Sequence, residues 1–180
     1  MNKYFLLGKL SAFKGIKKTI NDQQNTTDII NEIMKAHRQY RSEYDKIAGY
    51  FWQGNVINSA KNVFRFLKNN VTYRIEPDTS QSVKSPAAII STGMVGGNND
   101  CKHYSLFFAG ILDAWARQGK IINWCFRFAN YREGHRTPHH VFVVVNPQTN
   151  SEIWLDAVLP SFNIKKNYVN KIDKKCHYTV

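Results

Sequence analysis

The sequence GGNNDCKHYSLFFAGILDAW, residues 96–115, joins a polar turn to a long apolar run. Its glycines, asparagines and aspartate supply backbone freedom and side-chain caps, which are typical of a turn that begins a helix. The run from Cys101 to Trp115 is largely apolar and has no proline, so it predicts a buried helix. The cysteine therefore lies in the first helical turn.

Two interpretations of Cys101 follow from this position. The free N–H groups and the positive dipole end of a helix favour a thiolate, which is the nucleophilic form of cysteine. Free cysteines are also common as small buried residues, so Cys101 is equally well placed to be part of the core.

The chain has 180 residues, of which 43% are hydrophobic, as expected for one globular domain. Its three cysteines, an odd number, do not predict a disulfide framework. The apolar stretch near the N-terminus is interrupted at Lys9, so we expect neither a signal peptide nor a membrane span, and a cytoplasmic location.

The charge balance is strongly basic, with 25 Lys and Arg against 13 Asp and Glu and a net charge of +12. Such a surplus favours an acidic partner, either nucleic acid, an anionic surface or an acidic protein. Solvated ends are the simpler explanation, because few aromatic residues lie among the terminal lysines. Those lysines are Lys3, Lys9, Lys14, Lys17, Lys18, Lys165, Lys166, Lys171, Lys174 and Lys175.

Helical patterns fill the first half of the chain. Residues 1–27 suggest a short helix and a loop, residues 28–50 form an amphipathic pattern, and residues 57–69 form a second one. His37 lies on the apolar stripe of residues 28–50, where we expect it to pack. Pro86 begins a further helical turn over residues 86–90.

Strand patterns dominate the second half. Residues 71–75 resemble a short strand, residues 79–85 a polar loop, and residues 121–129 a half-buried strand. Residues 139–145 are rich in β-branched valine and predict a strand. Residues 146–150 predict a turn, and residues 151–156 predict the returning strand. Helices first and an antiparallel meander second predict an α+β domain.

Cys101, His140 and Asp156 supply the three groups of thiol-dependent acyl transfer. A thiol nucleophile needs an imidazole to carry its proton and a carboxylate to orient that imidazole. If the turn at residues 146–150 joins antiparallel neighbours, His140 and Asp156 lie side by side at the ends of their strands.

With these residues the chain resembles the transglutaminase-like superfamily. The resemblance is carried by Asn99-Asp100-Cys101, by residues 140–145 and by residues 153–156, with residues 70–73 matching the strand that leads into the family core. It covers residues 63–163 and implies a papain-like fold, in which a central helix bearing the thiol packs on an antiparallel sheet bearing the histidine and aspartate. Asn99 and Ala157 depart from the usual glycine and proline.

The resemblance also suggests a division of the chain and a second oxyanion donor. It implies an N-terminal helical extension over residues 1–55, a catalytic core over residues 56–164 and a basic tail over residues 165–180. Residues 81–88 are similar to members found in bacteriophages and prophages, which implies a phage particle as the other possible location. By the same resemblance, Gln81 would donate its amide to the oxyanion beside the Cys101 backbone N–H.

Other residues compete for these roles. His139 replaces His140 as the base if the strand register shifts by one. His103 is expected at the surface or behind the site, and Cys125 and Cys176 are expected to be structural. A zinc site from Cys101, His103, His135 and His139 lacks ligand-like spacing, so we expect no metal and no cofactor.

The sequence thus predicts a cysteine peptidase or amide hydrolase that works through a thioester, with transfer to an amine as the other outcome. Its partner would be a protein or peptide substrate. The alternative is a non-catalytic structural or binding module that keeps the fold and binds nucleic acid or an acidic protein through its basic ends.

Overall fold

A computed structural model describes residues 1–11, 18–20, 26–77, 81–92 and 98–175. The predicted glycine turn at Gly96 and Gly97, the terminal residues Lys14 and Lys17, and Cys176 lie outside these ranges. The helices are α1 (Lys3–Leu7), α2 (Thr26–Gln39), α3 (Arg41–Ala48), α4 (Val56–Asn70), α5 (Pro86–Thr92) and α6 (Cys101–Arg117), with a 3-10 turn at Gly49–Phe51.

The strands form two antiparallel sheets. A two-stranded ribbon joins β1 (Lys18–Ile20) to β2 (Gln81–Val83). The main sheet has four strands in the order β5-β4-β3-β6, namely β3 (Trp124–Asn130), β4 (His140–Val145), β5 (Ile153–Leu155) and β6 (Asn170–Lys174). Helices packed on this sheet give the α+β class that the sequence predicted.

Helix α6 is the centre of the molecule. Every residue from Lys102 to Trp115 is buried, because α3 covers one side of the helix and β4 covers another. At Gly110 a Cβ atom would lie 2.3 Å from the ring of Tyr44, so only glycine allows α3 to approach this closely. The prediction of a buried helix that begins at Cys101 is confirmed.

The predicted helix over residues 28–50 was wrong in one respect, because it is two helices. The backbone leaves helical geometry at Tyr40, with φ −98° and ψ 13°, and this turn separates α2 from α3. The Tyr40 side chain is buried, so the turn lets both helices pack on α6 while the apolar stripe stays continuous. His37 is buried in edge-to-face contact with Trp124 and Phe126, as predicted.

Strand β3 is buried on both faces, whereas the sequence predicted a half-buried strand. Its inner face packs on the helices, and its outer face carries Arg127, which is fully buried. The guanidinium pairs with Glu152 and Asp173 at 2.8 Å and lies 5.7 Å from the ring centres of Trp154 and Tyr168. A charged residue can be buried here because it is bonded to two carboxylates.

Three further predictions about elements are corrected. Residues 71–75 do not form a strand; Asn70 ends α4, and the backbone N–H groups of Val71 and Arg74 donate to the carbonyls of Leu67 at 3.0 Å and Asn99 at 2.8 Å. The supposed polar loop before Pro86 contains β2, while the helix over residues 86–92 begins at the proline as predicted. The supposed basic tail contains β6, which Asp173 holds to Arg127.

Candidate functional site

Two reciprocal hydrogen bonds fix the start of α6. Asp100 Oδ1 accepts from the backbone N–H of Lys102 at 3.2 Å, and His103 Nδ1 accepts from the backbone N–H of Asp100 at 3.1 Å. This capping box determines where the helix begins, so Cys101 takes the first helical position. The Cys101 side chain is partly buried and faces a cleft.

His140 and Asp156 form a direct pair. His140 is the first residue of β4 and Asp156 follows β5, and the antiparallel register of these strands aligns Val143 with Leu155. Asp156 Oδ2 lies 2.6 Å from His140 Nε2, and Oδ1 accepts from the backbone N–H of Val158 at 3.1 Å. The carboxylate is thus held on both oxygens, and it orients the imidazole.

Cys101 lies in the same cavity lining as His140 and is one of the groups that raise the pKa of the imidazole. Since Nε2 of the imidazole is used by Asp156, Nδ1 is the ring nitrogen left for the sulfur. Burial opposes a charge on His140, but its hydrogen bond with Asp156 and the neighbouring acidic groups outweigh burial and raise the pKa of His140 to about 10. The imidazole therefore keeps its proton at neutral pH.

Ser105 connects the helix to the strand that carries His140. Its hydroxyl, one turn beyond Cys101, donates to the carbonyl of Val141 at 2.9 Å and lies 2.7 Å from the carbonyl of Cys101. This contact joins the first turn of α6 to β4 beside the imidazole. Sequence reasoning missed Ser105, and only its spacing of four residues from Cys101 could have pointed to it.

His139 lies next to the site but outside the pair. It is exposed and in edge contact with Tyr131, with ring centres 5.9 Å apart. The pKa of His139 is lowered, mainly because the side chain is partly buried and further because of the positive charges of Arg132 and His140. The hydrogen bond to Asp156 belongs to His140.

Gln81 reaches the cleft, but its amide is already bonded. Its nitrogen donates to the carbonyls of Glu76 at 3.1 Å and Pro77 at 3.0 Å, and its oxygen accepts from Lys102 Nζ at 2.7 Å. To donate to an oxyanion, the amide would have to exchange one of these carbonyls for substrate. Its role as an oxyanion donor stays a prediction.

A buried ionic network lies behind the first turn of α6. Glu76 pairs with Lys102 at 3.0 Å and Lys84 at 3.2 Å, and it accepts from the backbone N–H of Ser82 at 2.6 Å. Lys102 also bonds Asp100, and the pKa of that carboxyl is lowered because the hydrogen bonds and charges of its neighbours outweigh its burial. Nothing in the sequence indicates this network, because its lysines are indistinguishable from surface lysines.

The histidine and the carboxylates of this network also meet the distance criterion for a metal site. Among the described residues, Glu76, Asp100 and His103 bring three potential ligand atoms within 4.8 Å of one another. Lys102 already bonds both carboxylates, so its ammonium group supplies the positive charge there. The set considered from sequence was different, and His135, one of its members, is exposed.

His103 and Cys125, which were predicted to take no direct part in the chemistry, are both buried. His103 is fully buried in the capping box, and not at the surface, because its ring is needed to accept the Asp100 N–H. Cys125 is buried in β3, and burial, more than any nearby charge, raises its pKa to about 12.

The cleft extends to both sides of His140. On one side, a cavity of about 400 Å³ is lined by Cys101, His140 and apolar residues of α2 and the sheet. On the other side, a second hollow of about 540 Å³ contains Asp156. Tyr73 lines both cavities, and burial together with neighbouring acidic groups such as Asp100 raises the pKa of Tyr73, so the phenol keeps its proton.

No protein-family model, no curated protein and no solved structure matches this chain. Among the described residues, no helix is long and apolar enough to cross a membrane.

Proposed function

We propose that this protein is a thiol-dependent acyl-transfer enzyme of the transglutaminase-like, papain-like type, acting as a cysteine peptidase or amide hydrolase. The observation that carries the proposal is the imidazole of His140, hydrogen-bonded to Asp156 and lining one cavity together with Cys101 at the start of a buried helix. A nucleophile, an acid–base group and an orienting carboxylate are thus grouped at one cleft.

The chemistry follows from the protonation of His140. His140 enters the reaction protonated, and the thiolate of Cys101 beside it attacks the carbonyl carbon of the substrate. As the tetrahedral intermediate collapses, the carbon–nitrogen bond breaks, and His140 donates its proton to the leaving amine. Water then attacks the thioester with the neutral imidazole of His140 as the base, which releases the acid and restores the thiolate beside a protonated imidazole.

An amine that reaches the thioester before water would give a new amide instead. The cleft is open at both cavities, and both water and an amine can reach Cys101. Hydrolysis and transfer therefore share every residue named above, and they differ only in the acceptor.

The backbone N–H of Cys101 and the phenol of Tyr73 are the groups that would stabilise the oxyanion. The backbone N–H of Cys101 belongs to the first turn of α6, where N–H groups lack partners within the helix. Tyr73 keeps its phenolic proton and borders the cavity that contains Cys101. It is a better placed side-chain donor than Gln81, whose amide already bonds two carbonyls.

A non-catalytic module is the second candidate, favoured by the net charge of +12. Such a module would bind nucleic acid or an acidic protein, for example inside a phage particle, through contacts that weaken steeply with salt. Binding of this kind would be unaffected by Cys101→Ser.

An activated ester tests the catalytic proposal directly. In a Cys176→Ser background, p-nitrophenyl acetate should acetylate Cys101, which intact-mass and peptide-mass measurements detect as a thioester. The adduct should decay in buffer and decay faster with added glycine methyl ester if amines are acceptors.

Cys101→Ser and His140→Gln serve as the matched variants. We expect no adduct at position 101 in the first and acylation slowed at least about tenfold in the second, a typical contribution of a general acid–base group being about 100-fold. Acetylation of Cys101 at an equal rate with and without His140 would exclude the proposed mechanism.

A further inference from the structure

We propose that the cleft selects an acyl donor carrying an apolar side chain on one side of the reacting carbonyl and a carboxylate on the other. This specificity rests on the proposed function, because it takes Cys101 as the reacting group. It assigns the two cavities beside His140 to two different parts of one substrate.

The apolar side is the cavity of about 400 Å³ that contains Cys101. Helix α2 contributes Ile29 and Ile33 to its wall, while the sheet contributes Phe128 and Val141. Ile29 is only partly buried, so apolar surface is open toward the cleft. An apolar substrate side chain would remove this surface from water, which is favourable in proportion to the area covered.

The basic side is the hollow that contains Asp156. Arg132 and Lys166 line it, and both are exposed. Neither forms a salt bridge to a carboxylate within the described part of the chain, and Asp156, the acidic residue in the lining, is bonded to His140. Two unpaired cations beside a neutralised carboxylate favour an anionic group of the substrate.

The two cavities belong to one continuous cleft. Tyr73, Ile75, His139 and His140 line both of them, so an extended peptide can pass the imidazole and contact each side. Ile75 is 70% exposed at this shared rim, where it offers apolar contact to a bound chain. The net charge of +12 would further increase the rate at which acidic substrates arrive.

Four iodoacetyl reagents test both halves of the proposal, since they carry the same electrophile and differ only in one side chain. They are the iodoacetyl derivatives of leucinamide, serinamide, aspartic acid α-amide and asparaginamide. The rate of Cys101 alkylation is followed by peptide mass in the Cys176→Ser protein. We expect leucinamide to react roughly tenfold faster than serinamide, the effect of burying one apolar side chain.

The aspartate reagent should react roughly threefold or more faster than the asparagine reagent at low salt, with the advantage shrinking as salt rises. His140 alone could attract an anion, so the decisive variant is Arg132→Glu with Lys166→Glu. It should reverse the aspartate preference and keep the leucine preference. Arg136→Glu with Lys165→Glu is the matched control, because these exposed residues do not line the hollow.

Ile29→Asn, which adds polarity without charge, should remove the leucine preference and leave the preference for aspartate. Rapid alkylation by all four reagents without discrimination would overturn the specificity and leave the catalytic proposal intact. Discrimination retained in both cleft variants would also overturn it. Slow, uniform alkylation at the rate of an ordinary thiol would overturn the catalytic proposal as well.

Discussion

At the scale of single residues, the site depends on a histidine that its surroundings keep charged. The pKa of His140 is raised to about 10 although the side chain is mostly buried, because Asp156 bonds the ring and further acidic groups lie near it. A folded-state pKa above the ordinary value of about 6.5 means that the folded protein binds this proton more tightly than the unfolded chain. The pair therefore contributes to stability as well as to chemistry.

The stabilisation that the His140–Asp156 pair provides decreases as the pH rises. Below about pH 6.5 His140 is protonated in both states and the full stabilisation is present, whereas it is lost as the pH rises through about 10. Asp156→Asn should therefore lower the free energy of unfolding by about 2 kcal/mol at pH 5.5, the usual contribution of a hydrogen bond to a charged group. The deficit should shrink toward pH 10.

Urea unfolding at several pH values measures this difference. Glu133→Gln is a suitable control, because Glu133 is exposed in the loop before β4. A deficit for Asp156→Asn that stays constant from pH 5.5 to pH 10 would show that the imidazole is not charged by this pair.

At the scale of elements, the first turn of α6 is held by polar groups that are themselves buried. Asp100 and His103 cap the helix, and Lys102 connects Asp100 to Glu76 on the segment before β2. The helix start that positions the sulfur is thus anchored to a chain segment that has no regular secondary structure. Loss of the Lys102 ammonium group would leave the buried carboxylates of Glu76 and Asp100 without their shared partner.

Lys102→Met tests this anchoring with little change in side-chain length. It should lower the free energy of unfolding by about 3 kcal/mol, because breaking a buried ion pair strands its partners. Lys61→Met, on the exposed face of α4, should change it by less than about 0.5 kcal/mol. Equal midpoints of urea unfolding in the two variants would contradict the role given to the network.

Local patterns explain which elements were predictable. The helix from Cys101, the α4 pattern and the hairpin of β4 and β5 follow from periodicity and turn residues, which act within a few positions of the chain. The break at Tyr40, the pairing of β1 with β2 and the burial of both faces of β3 depend on distant partners. Arg127 is the clearest case, since nothing near it in sequence indicates that Asp173 will cover it.

At the scale of the whole molecule, the helical first half and the sheet meet at α6. Trp115 near the end of α6 donates to the carbonyl of Ala48 at 2.9 Å, while Ser105 near its start donates to β4. The N-terminal helices are thus part of the packing around the site, and α2 supplies the wall of the cavity beside Cys101. The residue types of the site were readable from the sequence, but the shape of its cleft was not.

Alkylation of Cys101 by iodoacetamide near pH 7 tests the central claim, that His140 and Asp156 activate this sulfur. In the Cys176→Ser background we expect Cys101 to react at least about tenfold faster than a free peptide thiol, and His140→Gln to remove most of that advantage. Cys125 should stay unmodified, because it is buried and its pKa is raised. Its protection from iodoacetamide therefore shows that each variant is folded. Reaction of Cys101 at the ordinary thiol rate, unchanged in folded His140→Gln, would contradict the account.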